Sequence, residues 1–449
     1  MTQPRVVIVG AGPAGIRAAE VLVHAGLGPV VIDEQPRAGG QIYRRPPPGF
    51  VRIPRALYGF DASRAQALHA LFDGLLPRID HRPDTLAWNV WAGAVHTLHD
   101  GTLRRQPFDA LILAPGAMDL VVPFAGWTLP GVYTLGGAQV ALKAQGCAVG
   151  RRVAFLGTGP LLTLVAHQYR KAGVEVVGLF ETSDARRLRR GAWSLAADPV
   201  RLGRGIAYRA RLAGRVPVRH GITPLAALGR DAVEGLRWRD SAGAEHEVAC
   251  DAIAFGYGLK PETQLAELAG ARFAFEPADG LWLPVADAAG RVAPRVYLAG
   301  DGAGILGARA AEHAGRRAAL ATLADLGLDD GAAVPPSPAA ARRFRDGLRT
   351  AFPFPGHLAA GLADDVILCR CEAVTVGALR AAARETGARE INRVKALCRV
   401  GMGRCQGRVC GVAAAYVLAA ACAMPVGAVG RLRAQAPVKP IPIGACRAP

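Results

Sequence analysis

The sequence predicts an α/β protein made of two dinucleotide-binding (Rossmann-like) units in tandem and a small, cysteine-rich helical domain after them. Three observations carry this. The run GAGPAG at residues 10–15 directly follows a strand-like stretch and opens a helix-like one, which is the context a dinucleotide fingerprint requires. The run GTGPLL at residues 157–162 repeats the arrangement. Seven of the nine cysteines fall between Cys369 and Cys446, a clustering that points to metal or redox use rather than structural disulfides.

The first unit reads as a strand over residues 5–9, a helix over 14–24 and a strand over 29–32, a βαβ pattern. The second begins with a strand at 152–156, continues as a helix over 161–172 and returns as a strand over 174–179. Two further strands end in glycine-bearing loops, 110–115 in LAPGA and 295–299 in AGDGAG, where backbone amides can approach a ligand. The stretch GAAVPPSPAAA at 331–341 has the composition of a linker. Residues 411–430 are mostly Ala, Gly and Val but are interrupted by Pro425, so a packed helix is expected there rather than a membrane span.

Composition limits the function classes. The 449 residues are 51% hydrophobic and 20% charged, with 55 glycines, which fits a globular α/β enzyme of several domains and excludes a disordered or fibrous chain. The net charge of +18 rests on arginine, since lysine occurs only at positions 143, 171, 260, 395 and 439. The arginines are scattered, and no nucleic-acid motif accompanies them, so general composition explains most of the charge and a negatively charged partner comes second. The N-terminus enters a strand at once, without the apolar region of a signal peptide. A cytoplasmic location is therefore expected, compatible with peripheral attachment to the inner membrane.

In the first fingerprint Gly10 permits the tight turn, Gly12 lets a pyrophosphate approach, and Gly15 lets helix and strand pack closely. Pro13 and Ala14 complete the turn. Asp33, 18 residues after Gly15, stands where an acid hydrogen-bonds a ribose, with Glu34 beside it as the alternative. The turn Gly39, Gly40, Gln41 comes next along the chain, then Ala114 and Gly116 of LAPGA, then Gly300 and Asp301 of AGDGAG. This spread resembles that of flavoproteins with two dinucleotide-binding domains. The resemblance implies FAD, with Asp301 as ligand of the ribityl chain; its alternative role is to cap the helix that begins near Gly307.

The second fingerprint keeps Gly157 and Gly159 but has Leu162 at the third glycine position. Glu181 ends the following strand, where an acid favours an unphosphorylated ribose. NAD, another adenine nucleotide such as ATP, and no ligand at all remain open. Disulfide reduction is disfavoured, because GGQIYRRPPPGF contains no cysteine and Cys147 and Cys250 are far apart with no CxxC. No catalytic base can be named; His313 reads as a solvent or packing residue.

In the tail, Cys369 and Cys371 form a CxC pair and Cys405 and Cys410 a Cx4C pair, with 33 residues between the pairs. Two pairs of thiolates meet the needs of a [2Fe-2S] cluster, two per tetrahedral iron. Zinc is the rival, though a CxC pair suits it poorly. Gly401, Gly403, Gly407 and Gly411 can free amides toward sulfur, and Arg370, Arg399, Arg404 and Arg408 are expected to offset thiolate charge. Cys398 reads as an apolar helix residue or a fifth ligand, and Cys422 and Cys446 as incidental.

These motifs, with the block APGAMDLVVPFAGWTLPGVYTLGGAQ and the pairing of CRCE with GMGRCQGRVC, resemble the alpha (A) subunits of bacterial multi-subunit amino-acid and amine dehydrogenases. That family includes opine oxidase, hydrogen cyanide synthase, D-hydroxyproline dehydrogenase and dye-linked L-proline dehydrogenase. The resemblance implies an FAD-dependent electron-transfer subunit whose tail, similar to bacterioferritin-associated ferredoxin, holds [2Fe-2S] at the four named cysteines. It also implies a beta subunit similar to D-amino-acid oxidase where the amine is oxidised, room for a small gamma subunit, and a quinone or dye acceptor. Relatives bind ATP or NAD in the second fold and share an FMN with the partner. The alternative is a stand-alone NAD(P)H-dependent reductase with a fused ferredoxin-like domain. The expected domains are a discontinuous FAD-binding domain over 1–118 and 285–330, a second nucleotide fold over 119–284, a linker over 331–364, the [2Fe-2S] domain over 365–430 and a tail over 431–449.

Overall fold

The computed structural model describes residues 3–328 and 339–446. Most of the Pro/Ala-rich stretch therefore lies outside the described residues. Residues 339–364, expected as part of a linker, carry two helices, Ala339–Ala351 and Gly356–Ala360. Leu195, Phe344 and Ala351 form a small core between the first of these and the helix Ala185–Leu195. Phe344 and Ala351 are spaced seven apart on one helical face, the kind of stripe that a purely compositional reading of the segment passes over.

Six strands make the first sheet, in the order Arg291–Ala293, Val296–Leu298, Ala110–Leu113, Val6–Val9, Val30–Ile32, Asp80–Arg82. All neighbours run parallel except the edge hairpin at Arg291–Ala293. VVIV is apolar throughout because the strand is central and buried on both faces. Val6 and Ile8 join the core beneath the helices Pro13–His24 and Ala308–Asp325. Val7 and Val9 point the other way, into a core shared with Val90 and Val95 of the antiparallel strands Leu86–Trp91 and Ala94–His99.

The second sheet is wholly parallel, in the order Val218–His220, Glu175–Glu181, Arg152–Gly157, Ala252–Gly256, Val132–Thr134. Val153 and Phe155 pack against Leu162, Val165 and Tyr169 of the helix Pro160–Lys171. Ala154 and Leu156, on the opposite face, belong to a core that continues through Trp238 and Phe255 into the cysteine-rich segment, reaching Cys369, Val394, Cys410 and Leu418. The tail domain therefore has no separate core of its own.

That tail holds the short strand Ile367–Cys369 and the helices Val376–Thr386, Ile391–Cys398 and Gly411–Ala421. Thr375 caps the first by accepting from Ala378 N at 3.1 Å, and Glu390 caps the second by accepting from Asn392 N and Arg393 N at 3.0 and 2.9 Å. Arg399 stops the second helix in the left-handed conformation (φ 65°), which opens the loop that carries Cys405 and Cys410. The Ala- and Val-rich helix Gly411–Ala421 is buried along most of its length. Among the described residues no helix is long and apolar enough to cross a membrane.

Candidate functional site: a glycine cradle and two thiol pairs

The first glycine turn is shaped by contacts that no side chain could share. Gly10 has φ +106°, and a Cβ there would lie 2.2 Å from the Ala114 carbonyl oxygen. On Gly15 a Cβ would meet the Gly10 carbonyl oxygen at 1.8 Å. Strand, turn and helix thus approach within backbone contact, and Ala114 of LAPGA forms the opposite wall. The helix Pro13–His24 begins with Gly12 as its N-cap, no side-chain cap and Pro13 in the first turn. Its first amides and its positive dipole end are therefore presented to the cleft, the arrangement that receives a pyrophosphate. Gly39 N donates to the Ala11 carbonyl at 2.9 Å, and this lays the Gly39–Gly40 turn over the glycine loop. The donor set and the absence of side chains fit a dinucleotide.

The two candidate ribose acids are separated by the fold. Asp33 turns inward, accepting from Ala11 N at 2.5 Å and Gln35 N at 2.7 Å. Burial raises its carboxyl above the usual range against the pull of those two amides. Glu34 turns outward and pairs with Lys439 of the tail, so only Asp33 stands beside the glycine loop. Gln41 Oε1 accepts from Arg44 at 2.7 Å. Gly116 O accepts from Glu262 N at 3.1 Å. Gly300 lies over Ala14, where a Cβ would come 2.9 Å from the alanine methyl. Asp301 is half-buried, and desolvation raises its carboxyl; it accepts from Leu306 N at 3.3 Å and also from Gly307 N. It therefore ties down the loop before the helix Ala308–Asp325 from a position just past the end of the strand Val296–Leu298.

At the second fingerprint, Gly157 (φ +136°) again lies against a backbone carbonyl, that of Gly256. Leu162 is fully buried where the third glycine would stand. Glu181 is only 4% exposed. It is held internally, by the Thr158 hydroxyl and by the amides of Ser183 and Gly159, and burial pushes its carboxyl up to about 7. The Thr158 and Ser183 hydroxyls are 2.7 Å apart beside it. An acid in this state offers little charge to a ribose.

The four nominated cysteines come together, but paired across the two motifs rather than within them. Cys369 and Cys410 are in hydrogen-bond contact, and so are Cys371 and Cys405. The Cys410 thiol, together with amides of Gly401, Glu372 and Cys371, pulls Cys369 down to about 6, where a thiolate forms readily. Among the described residues no group of three or more His, Cys, Asp or Glu side chains converges on a single ion position. Two pairs of thiols match in number what a two-iron centre takes, two per iron.

Two of the four arginines around these thiols depart from expectation. Arg399 Nε donates to Glu372 at 2.8 Å. Arg408 Nε donates to Glu262 at 2.7 Å and its Nη1 to the Val438 carbonyl. Both are spent on carboxylates, and Arg408 clamps the cysteine loop to the flavin-fold body and to the tail. Two lysines lie near the thiols instead: Lys260, on the body strand Leu259–Pro261, is close enough to Cys405 and Cys410 to feel their charge, and Lys395, on the helix Ile391–Cys398, is close enough to feel that of Cys410. Cys398 stays near Cys369 without pairing to it, and burial raises its thiol. Sequence reasoning also passed over Lys143, buried in the helix Leu135–Ala144, 3.5 Å from the Ile42 carbonyl and pulled by burial down to about 8. A lysine in the apolar run LGGAQVALKA was the available signal.

Comparison with known proteins agrees with this geometry. The pyridine nucleotide-disulphide oxidoreductase family model matches residues 4–321, and the sarcosine oxidase A3 domain model matches 367–449. The opine oxidase A subunit of Rhizobium meliloti is 35% identical over 97% of this chain and 86% of its own length. The hydrogen cyanide synthase subunit HcnB of Pseudomonas protegens is 33% identical over 90% of this chain and 89% of its own. L-proline dehydrogenase from P. horikoshii shares the fold, with a TM-score of 0.74 at 21% identity over 99% of this chain and 79% of that one. The chain belongs to the family of these opine oxidase A and HcnB subunits, flavin-dependent oxidoreductases built on the pyridine nucleotide-disulphide oxidoreductase fold.

Proposed function

We propose that the chain is the FAD- and [2Fe-2S]-containing electron-transfer subunit of a heteromeric amino-acid, opine or amine dehydrogenase or oxidase, and that the substrate is oxidised in a partner subunit similar to D-amino-acid oxidase. The observation that carries this is the pairing of Cys369 with Cys410 and of Cys371 with Cys405 on the same core as a nucleotide fold. FAD, when bound, accepts an electron pair and releases it singly, and a [2Fe-2S] cluster carries one electron, so the two together adapt a two-electron oxidation to one-electron traffic.

The residues of this chain would divide the work between the two centres. The amides of the turn at Gly12–Gly15 bind the pyrophosphate, Asp33 orders the loop that faces the ribose, and Asp301 holds the ribityl chain while fixing the loop at Leu306. Cys369, Cys371, Cys405 and Cys410 hold the irons, and Gly401 N donates toward Cys369 sulfur. Stand-alone NADH-dependent reduction is the weaker reading, because Glu181 is committed to internal partners.

The test is to purify the chain anaerobically with whatever co-purifies. The proposal expects flavin, two irons per chain and a second, flavin-containing subunit, with dye reduction by some member of a panel of amino acids and opines. A colourless chain, or one that holds zinc, would overturn it.

A further inference from the structure

The arginines are less evenly spread than the sequence as a whole suggests. Residues 184–219, which form the helices Ala185–Leu195 and Pro199–Leu212 and the turns around them, contain ten arginines, two aspartates and no lysine or glutamate, a net +8 in 36 residues against +18 for the whole chain. Both aspartates serve as helix N-caps, Asp184 accepting from Arg186 N at 2.8 Å and Asp198 from Arg201 N at 3.1 Å. Neither helix has an acidic residue of its own.

Packing settles which way these helices face. Leu188, Leu195 and Leu202, seven apart, meet Phe344 and Leu348 of the helix Ala339–Ala351, and Gly191 lies so close to that helix that a Cβ would come 2.6 Å from the Gly347 carbonyl oxygen. The three- and four-residue spacing of Arg186, Arg189, Arg190 and Trp193 then turns them to the opposite side. All four are exposed, Trp193 at 90%, and among the described residues the three guanidinium groups make no hydrogen bond or ion pair. On the next helix Arg204 is engaged by Asp61 and Arg201 by Asp198, while Val200 and Ile206 are left 54% and 60% exposed.

Solvation accounts for the arginines but not for a bare indole among them. The core of a specific protein interface is depleted of charge, and a protein seated on Trp193 would strip water from the guanidinium groups around it, each of which would then need a carboxylate of its own. An anionic bilayer surface makes no such demand. Guanidinium groups stay hydrated among the headgroups while their stems and the indole enter the interfacial layer, where tryptophan is favoured, and the attraction grows with each basic side chain. We propose that the outward face of these two helices docks the protein on an anionic lipid surface. Arg186, Arg189 and Arg190 supply the charge, Trp193 enters the headgroup layer, and Val200 and Ile206 add apolar contact.

The experiment sediments the full, flavin-loaded chain with vesicles of phosphatidylglycerol and phosphatidylcholine, and with vesicles of phosphatidylcholine alone. Binding is expected to the mixed vesicles only, and to be lost when salt is raised to about 0.5 M. Arg186→Gln, Arg189→Gln and Arg190→Gln combined should weaken it about hundredfold, whereas lysine at the same three positions should keep most of it, because a bilayer reads charge rather than the fork of a guanidinium. Trp193→Ser should weaken binding several-fold without altering its dependence on salt. Flavin content and melting temperature should stay those of the parent in every variant, since the replaced groups bond to nothing in the fold. Three results overturn the proposal: no binding to the mixed vesicles at low salt, equal binding to phosphatidylcholine alone, or binding that the triple glutamine variant retains. A parent chain that ignores vesicles but holds an acidic subunit, which the triple glutamine variant releases, would make this face a protein interface instead.

Discussion

Glu181 offers a direct test of how the second nucleotide fold is used. Its carboxyl is 4% exposed at the end of the strand Glu175–Glu181. Burial lifts it from 4.5 to about 7, outweighing the Thr158 hydroxyl, the Ser183 and Gly159 amides and the charge of Arg209, all of which act the other way. The folded protein thus holds this proton more tightly than the unfolded chain does. The resulting stability is complete below the unfolded value of 4.5 and is lost as pH rises through the folded value near 7. At about 1.4 kcal/mol per unit, the loss between pH 5 and pH 8 comes to about 2.5 kcal/mol.

Glu181→Gln keeps the shape and removes the titration. Its stability relative to the parent should therefore improve by about 2.5 kcal/mol on going from pH 5 to pH 8, read from urea unfolding of both proteins at the two pH values. A difference that does not change with pH would refute the reasoning, because it would mean that the carboxyl is ionised throughout and free to meet a ribose. The same argument expects NADH not to bleach the flavin of the isolated chain; rapid bleaching would return the second fold to service as an NADH site.

Three substitutions probe the rest of the site. Cys405→Ser should abolish the iron–sulfur absorption while leaving bound FAD, seen in the visible spectrum and in flavin release on denaturation; equal loss of both chromophores would mean that the thiol pairs and the glycine cradle stand or fall together. Gly12→Val should leave the chain without flavin, since branched carbons would fill the space between the turn and Gly40, whose Cα lies 3.7 Å from a Cβ at position 12; stoichiometric flavin in this variant would place the dinucleotide elsewhere. Lys260→Met removes a body lysine near Cys405 and Cys410 and should lower the midpoint potential of the centre in a redox titration followed by electron paramagnetic resonance, because a positive charge favours the added electron; an unchanged potential would make Lys260 a spectator.

The parts of the site readable from sequence are those where local sterics allow few answers. Gly10 and Gly15 are legible because a Cβ at either would collide with backbone, and VVIV because a doubly covered parallel strand needs an unbroken apolar run. Direction is what sequence proximity does not supply. Asp33 and Glu34 are adjacent, yet one faces Ala11 N and the other Lys439, 405 residues away. Arg399 and Arg408 sit beside thiols in sequence but turn to Glu372 and Glu262. The tail was illegible for the same reason: Val438 is fully buried against the first fold and its N–H donates to the Trp88 carbonyl at 3.0 Å, contacts set by tertiary packing rather than by local pattern.

Those long-range contacts bear on how the thiols can serve a flavin. A ferredoxin-like domain on a flexible tether would meet its body through few contacts and would find its partner by diffusion. Here Trp127 Nε1 donates to the Ile367 carbonyl at 2.7 Å, two residues before Cys369. Gln264 Nε2 donates to the Gln406 carbonyl at 2.8 Å, next to Cys405, and Arg408 bonds Glu262 two residues before Cys410. Each thiol pair is thus anchored to the body at a neighbouring residue, and the apolar core runs beneath both. Moving the cysteines as a unit would break all three polar links and open that core, at a cost of several kcal/mol. Fixed geometry of this kind suits repeated one-electron transfer over a constant gap, which is what the proposed function asks of the thiols.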